Sequence, residues 1–232
     1  DKLATAAAED FVHAGYDLEA EAILLCESDG TPEEVAEEIA KIEDVMRAAG
    51  STGFAVSRNE AERLKFWSGR KAAFPAVGRI SPDYYCIDGS IPRGAVSKVL
   101  RRIAELSAHY GLRCANVFHA GDGNLHPLIL YDANVPGEFE KTEEFAGDIL
   151  ELSIEVGGTI TGEHGVGVEK IRQMCTQFRP AELQQFHAVK AAFDPQGLLN
   201  PGKGIPTLNR CADYGAMRVH RGQLPHPDLP RF

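Results

Sequence analysis

Two short stretches of this chain concentrate side chains able to bind a metal or move a proton. The first is His119-Ala-Gly-Asp-Gly-Asn-Leu-His126-Pro127, two imidazoles and a carboxylate on a run with small residues and two glycines. Glycine at this density lets the backbone turn tightly. The spacing of seven does not fix the distance between His119 and His126, but a hairpin turn can fold them to the same side, as a shared metal would require. Two imidazoles with one carboxylate and an open position form a common catalytic metal arrangement. The same residues are also accounted for by two histidines that hydrogen-bond the turn.

The second stretch is Gly157-Gly-Thr-Ile-Thr-Gly-Glu163-His164-Gly-Val-Gly167, five glycines around an adjacent acid–imidazole pair. Glu163 offers the missing carboxylate, and His164 a group that exchanges a proton near neutral pH. As neighbours they point in different directions, so one can meet a metal while the other faces a substrate. A plain glycine-rich loop with a solvated Glu–His pair stands as the alternative. Neither stretch is a dinucleotide fingerprint, because no GxGxxG follows a strand.

Two weaker segments complete the inventory. In Phe66-Trp-Ser-Gly-Arg70-Lys71, an arginine beside an aromatic residue on a helix can grip a carboxylate with its two-pronged guanidinium; most surface arginines do nothing of the kind. In Phe193-Asp-Pro-Gln-Gly-Leu-Leu-Asn200-Pro-Gly-Lys203, a helix stop and turn place Asn200 and Lys203 where a ligand can be met, or serve as a stop and turn alone.

The elements expected to carry these segments alternate in type. Glu21–Glu27, Phe54–Val56, Tyr84–Ile87, Cys114–Phe118 and Leu128–Tyr131 read as short strands. Thr31 caps a helix with Glu34 three positions on and Pro32 in its first turn, and Val35, Ile39, Ile42, Val45 and Met46 form its apolar stripe. Further helices are predicted over 59–73, 92–109, 137–156 and 180–193. The fold class is therefore α+β, a ferredoxin-like antiparallel sheet covered by helices, with a C-terminal helical segment and an irregular tail after Asn200.

The 232 residues carry 34 acidic against 24 basic side chains, a formal charge of −10, which repels nucleic-acid phosphates in the absence of any basic run. Nothing approaches the roughly 18 unbroken apolar residues of a membrane span, and Asp1–Ala20 has no signal-peptide pattern. Five cysteines, odd in number and widely spaced, predict no disulfide framework and a reducing, cytoplasmic setting.

Taken in order, Trp67-x-x-Arg70-Lys71, Asp88-Gly-Ser-Ile-Pro92-Arg, the two histidine–glycine stretches, Phe193–Lys203 and the tail from Pro206 to Pro225 resemble the C-terminal half of flavin-linked 2-hydroxy-acid dehydrogenases with the vanillyl-alcohol-oxidase type of fold. The tail is similar in particular to the flavin-bearing D subunits of bacterial glycolate oxidases. The resemblance implies oxidation of a small D-2-hydroxy acid, or achiral glycolate, to the 2-keto acid with hydride transfer to FAD. It implies a divalent metal such as zinc at His119, His126 and Glu163, His164 as base, Arg70 on the substrate carboxylate, and Asn200 and Lys203 near the flavin. Phe74 and Cys86 stand where relatives acting on longer acids carry a hydroxyl and a lysine for a second carboxylate, which points to a small monocarboxylate such as glycolate or D-lactate.

The family sets an FAD-binding domain of comparable size before these motifs, and nothing like it occurs here. Residues 1–205 are thus expected to be the cap, or substrate, domain, unable on its own to retain FAD or turn over. Residues 206–232 are expected to form a tail suited to subunit docking. The resemblance further implies partner subunits, one iron–sulfur-bearing, and a peripheral position at the inner membrane through them. A second reading makes the chain a metal-binding or docking module that joins electron-transfer subunits without catalysis of its own; a third makes it a stand-alone hydrolytic metalloenzyme.

Overall fold

The computed structural model describes residues 1–206; apart from Pro206, the tail read as a docking segment lies outside the described residues. The order of elements is α1 (Lys2–Val12), α2 (Pro32–Ala48), α3 (Glu60–Val77), β1 (Asp83–Cys86), β2 (Gly89–Ser90), a 3₁₀ turn (Arg93–Ala95), α4 (Val96–Tyr110), β3 (Cys114–Asn116), β4 (Asn124–Leu125), β5 (Pro127–Tyr131), α5 (Glu138–Glu155), α6 (Ile171–Gln177) and α7 (Pro180–Phe193). The α+β expectation holds.

β5 is the axis of the molecule. It lies between β1 and β3, antiparallel to both, with Cys86 opposite Leu128 and Cys114 opposite Ile129. Its run Leu128-Ile-Leu130 is apolar on both faces because successive side chains point to opposite sides of the sheet. Leu128 and Leu130 pack with Ala73, Ala76 and Val77 of α3 and the alanines of α1. Ile129 packs on the other side with Val99 and Ile103 of α4 and Phe145 and Ile149 of α5. The sheet is therefore the middle layer between two helical layers.

Two predicted strands are absent. Glu21–Glu27 and Phe54–Val56 are irregular, and Leu24 is 54% exposed. A short apolar run specifies burial but not its partner, and neither segment pairs with β1 or β3, so the main sheet is narrower than the ferredoxin-like expectation. α2 forms as predicted, with its capping box closed between Thr31 and Glu34. Its apolar stripe finds no core among the described residues: none of its side chains is buried, and Val45 is 65% exposed. α1 and the short α6 were not legible from periodicity. α3 runs past the predicted end at Ala73 to Val77, with Pro75 inside it. Among the described residues, Cys26, Cys86 and Cys114 are free thiols.

A second, two-stranded sheet ties the chemistry-bearing loops together. β2 pairs with β4, Gly89 opposite Leu125 and Ser90 opposite Asn124. On its other side Ser90 bridges Thr159: the Ser90 N–H donates to the Thr159 carbonyl at 3.0 Å, and the Thr159 N–H donates back at 2.8 Å. Gly123, at φ +73°, turns the chain into β4 while its carbonyl accepts the Ile91 N–H at 2.9 Å. A Cβ there would stand 2.1 Å from the Ile91 carbonyl oxygen. Gly123→Ala is expected to cost about 3 kcal/mol, the sum of left-handed backbone strain and overpacking; a fall in the urea midpoint at unchanged m measures it.

Candidate metal centre and active site

His119 and His126 are brought together by the turn that separates them. The His119 N–H donates to the Asn124 carbonyl at 3.0 Å, and the Gly123 N–H donates to the His119 carbonyl at 3.0 Å. The two rings meet edge to face with centroids 5.6 Å apart. His126, between β4 and β5, is 3% exposed, while Glu163 and His164 are open to solvent on the facing loop. The β2 seam carries that loop across: Glu163 Oε1 lies 2.9 Å from His126 Nε2, and the His164 ring stacks on His126 at 5.2 Å. Close approach needs Gly162, where a Cβ would fall 2.2 Å from Asn124 Oδ1.

One donor atom each from His119, His126 and Glu163 lies within 4.8 Å of the other two. Burial pushes the His126 imidazole below its ordinary pKa, against the pull of Glu163 and with the help of His164 and His119. A neutral imidazole is the ligating form. Two imidazoles and a carboxylate, buried on one side and open on the other, fit a divalent ion such as zinc with a free coordination position.

The same cavity, about 1010 Å³ in volume, is walled by α3 through Trp67, Arg70 and Phe74. These positions, three and four apart, share a helix face. Arg70 reaches within 3.5 Å of His119 Nε2, and Phe74 meets His126 edge to face. Leu24 and Cys26, from the segment read as a strand, also line the cavity. The predicted residues Arg70, His119, His126, Glu163 and His164 thus converge on one space. Asn200 and Lys203 do not line it; both are exposed, on a turn tethered to the second glycine stretch where the Gly204 N–H donates to the Gly167 carbonyl at 2.7 Å. Asn200 adopts φ +46°.

Two further residues belong to the site: Asp88, which stands in one of the motifs without an expected role, and Lys170, which stands in none. Both side chains are fully buried. Asp88 Oδ2 accepts the N–H groups of Gly162 at 2.7 Å, Glu163 at 2.6 Å and His164 at 3.0 Å. Lys170 Nζ pairs with Oδ1 and donates to the Asp88 carbonyl at 2.9 Å. Burial pushes the Asp88 carboxyl up, but the Lys170 ammonium and the loop amides outweigh it and hold the pKa at about 2. An acid closing an apolar strand just before Gly-Ser was the available signal; nothing in the sequence marks Lys170 as buried.

The family model for the C-terminal domain of FAD linked oxidases matches residues 1–204. The chain belongs to this family. The FAD-linked oxidase C-terminal domain is similar over all 232 residues to the glycolate oxidase subunit GlcD of Escherichia coli K12, with 64% identity, but covers 46% of that protein. The GlcD of Bacillus subtilis is 35% identical over 84% of the chain and 42% of its own length. A probable mitochondrial D-lactate dehydrogenase of Danio rerio is 30% identical over 78% of the chain and 37% of its own length. The chain therefore spans less than half the length of these relatives. A solved 4-ethylphenol oxidase from Gulosibacter chungangensis has the same fold over 75% of the chain and 38% of its own, with TM-score 0.51 and 19% identity. Among the described residues no helix is long and apolar enough to cross a membrane.

Proposed function

We propose that this domain is the substrate-binding half of an FAD-linked enzyme that oxidises a small 2-hydroxy acid, glycolate or D-lactate, to the 2-keto acid. The observation that carries the reading is the convergence of a cation, a two-imidazole, one-carboxylate set and a further imidazole on one cavity. The names of the relatives, glycolate oxidase subunits and D-lactate dehydrogenases, support the substrate class.

Arg70 takes the substrate carboxylate and sets the C2 hydroxyl against His164. His164 Nδ1 faces Asp88 at 3.6 Å and Nε2 lies on the side of Glu163. Nε2 accepts the hydroxyl proton. When bound, a divalent ion at His119, His126 and Glu163 supplies Lewis-acid polarisation, and FAD supplies the hydride acceptor. Exposed Asn200 and Lys203 would meet the flavin from this side. Phe74 puts an apolar ring on the cavity wall at the position where, by the resemblance, dehydrogenases of longer acids carry a hydroxyl, which favours a short acid. By the same reading the protein works in a glycolate oxidase complex with an iron–sulfur subunit, in the cytoplasm and peripheral to the inner membrane through its partners.

Flavin bleaching by glycolate and by D-lactate in the full protein tests the reaction and ranks the substrates. Arg70→Ala is expected to lower kcat/KM about 100-fold, mainly through KM, the value of a lost charge-assisted pair. An unchanged KM would remove Arg70 from the carboxylate site, and no bleaching by either acid would sink the reading.

A further inference from the structure

The carboxylate of Asp88 has no place in substrate or metal binding as described, yet the loop that carries Glu163 and His164 is built around it. Three consecutive N–H groups, from Gly162, Glu163 and His164, converge on its Oδ2. The Thr161 hydroxyl lies 3.3 Å from both carboxylate oxygens and accepts the Gly165 N–H at 2.9 Å. Successive amides curled onto one anion form the concavity that elsewhere captures phosphate. Here the anion is a side chain of the protein, and the two residues whose amides close on it are the proposed ligand and the proposed base.

We infer that Asp88 is the positioning residue of this site: its carboxylate is the fixed anion on which Thr161–Gly165 folds, and Lys170 is its buried counter-ion. Glycine-rich backbone of this kind has many conformations to lose, and the Glu163 and His164 side chains are exposed, their contacts with His126 reached only once the loop is placed. The anchor is rigid because Asp88 itself is fixed: it follows β1, and its backbone carbonyl and its carboxylate are both engaged by Lys170. Lys170 in turn immediately precedes α6. The loop is thereby pinned to the sheet and to the helical layer at once. Arg70, on α3, is outside this network.

The inference rests on the metal and base roles given above, and its test separates the two. In the full protein, Asp88→Asn keeps the shape and removes the charge. It is expected to weaken Zn²⁺, measured by chelator competition, by about 10-fold or more, as loss of an outer partner of a metal ligand does. It is also expected to lower kcat by about 10–100-fold through misplacement of His164, while KM stays within about 2-fold because Arg70 is untouched. Because the single variant leaves a buried ammonium unpaired, the double variant Asp88→Asn/Lys170→Met removes both charges and restores folding without restoring the anchor. The same losses in the double variant support the inference. Recovery of both kcat and Zn²⁺ affinity there would overturn it, since the pair would then be structural only. Glu163→Gln is the control for the metal reading: if it leaves Zn²⁺ affinity unchanged, that reading fails, and the split between kcat and KM alone decides the role of Asp88. An unchanged kcat in Asp88→Asn overturns it.

Discussion

Changing His164 to Asn in the full protein is expected to lower kcat for 2-hydroxy-acid oxidation by about 10²–10⁴-fold, the usual worth of a positioned proton acceptor. Flavin content and substrate KM should change little, because the side chain lost is exposed and contributes neither to the core nor to the carboxylate grip. His164 sits on His126 and between two acids, with Asp88 on one side and Glu163 on the other. Steady-state kinetics with a dye acceptor, backed by single-turnover flavin reduction, checks the effect at the chemical step. A kcat within 3-fold of the parent, against the loss of about 100-fold or more expected for a general base, would assign the proton to another group.

Metal content gives the second large effect. His119→Ala and His126→Ala are each expected to lower zinc affinity by more than about 100-fold, beyond the loss typical of outer-shell partners, and to leave the purified protein essentially without the ion. The two substitutions should differ in their structural cost. His119 is exposed on the turn, so its removal empties the site without disturbing packing. His126 is buried beneath it, where its ring meets Phe74, His119 and His164, and its removal leaves a cavity. Elemental analysis together with thermal melts separates the two. Equal metal content in parent and both variants would dismiss the ligand set and leave a hydrogen-bonded His–Glu pair.

What could be read from the residues divides along the range of the interactions involved. The capping box at Thr31 and the helices predicted over 92–109 and 180–193 are local, and each forms within a few residues of its predicted bounds. Paired imidazoles across a glycine turn were also legible, because that turn closes within itself. The meeting of His126 with Glu163 was not derivable from spacing. It depends on Ser90, a residue distant from both in sequence, taking Asn124 on one side and Thr159 on the other. Glu21–Glu27 failed as a strand for the complementary reason: its apolar content was real, but pairing is a property of a neighbour that these residues do not supply. Lys170 was invisible because burial of an ammonium is set by its partner and not by its own flanks.

A two-residue strand acting as the common border of two loops has a consequence for how this domain can vary. Side-chain direction in a strand alternates with every position, so adding or deleting one residue between Ile87 and Ile91 would reverse which way each group points. Length changes should therefore be purged from this border far more strictly than amino-acid exchanges, even though Gly89 and Ser90 themselves contribute no atom to the proposed chemistry.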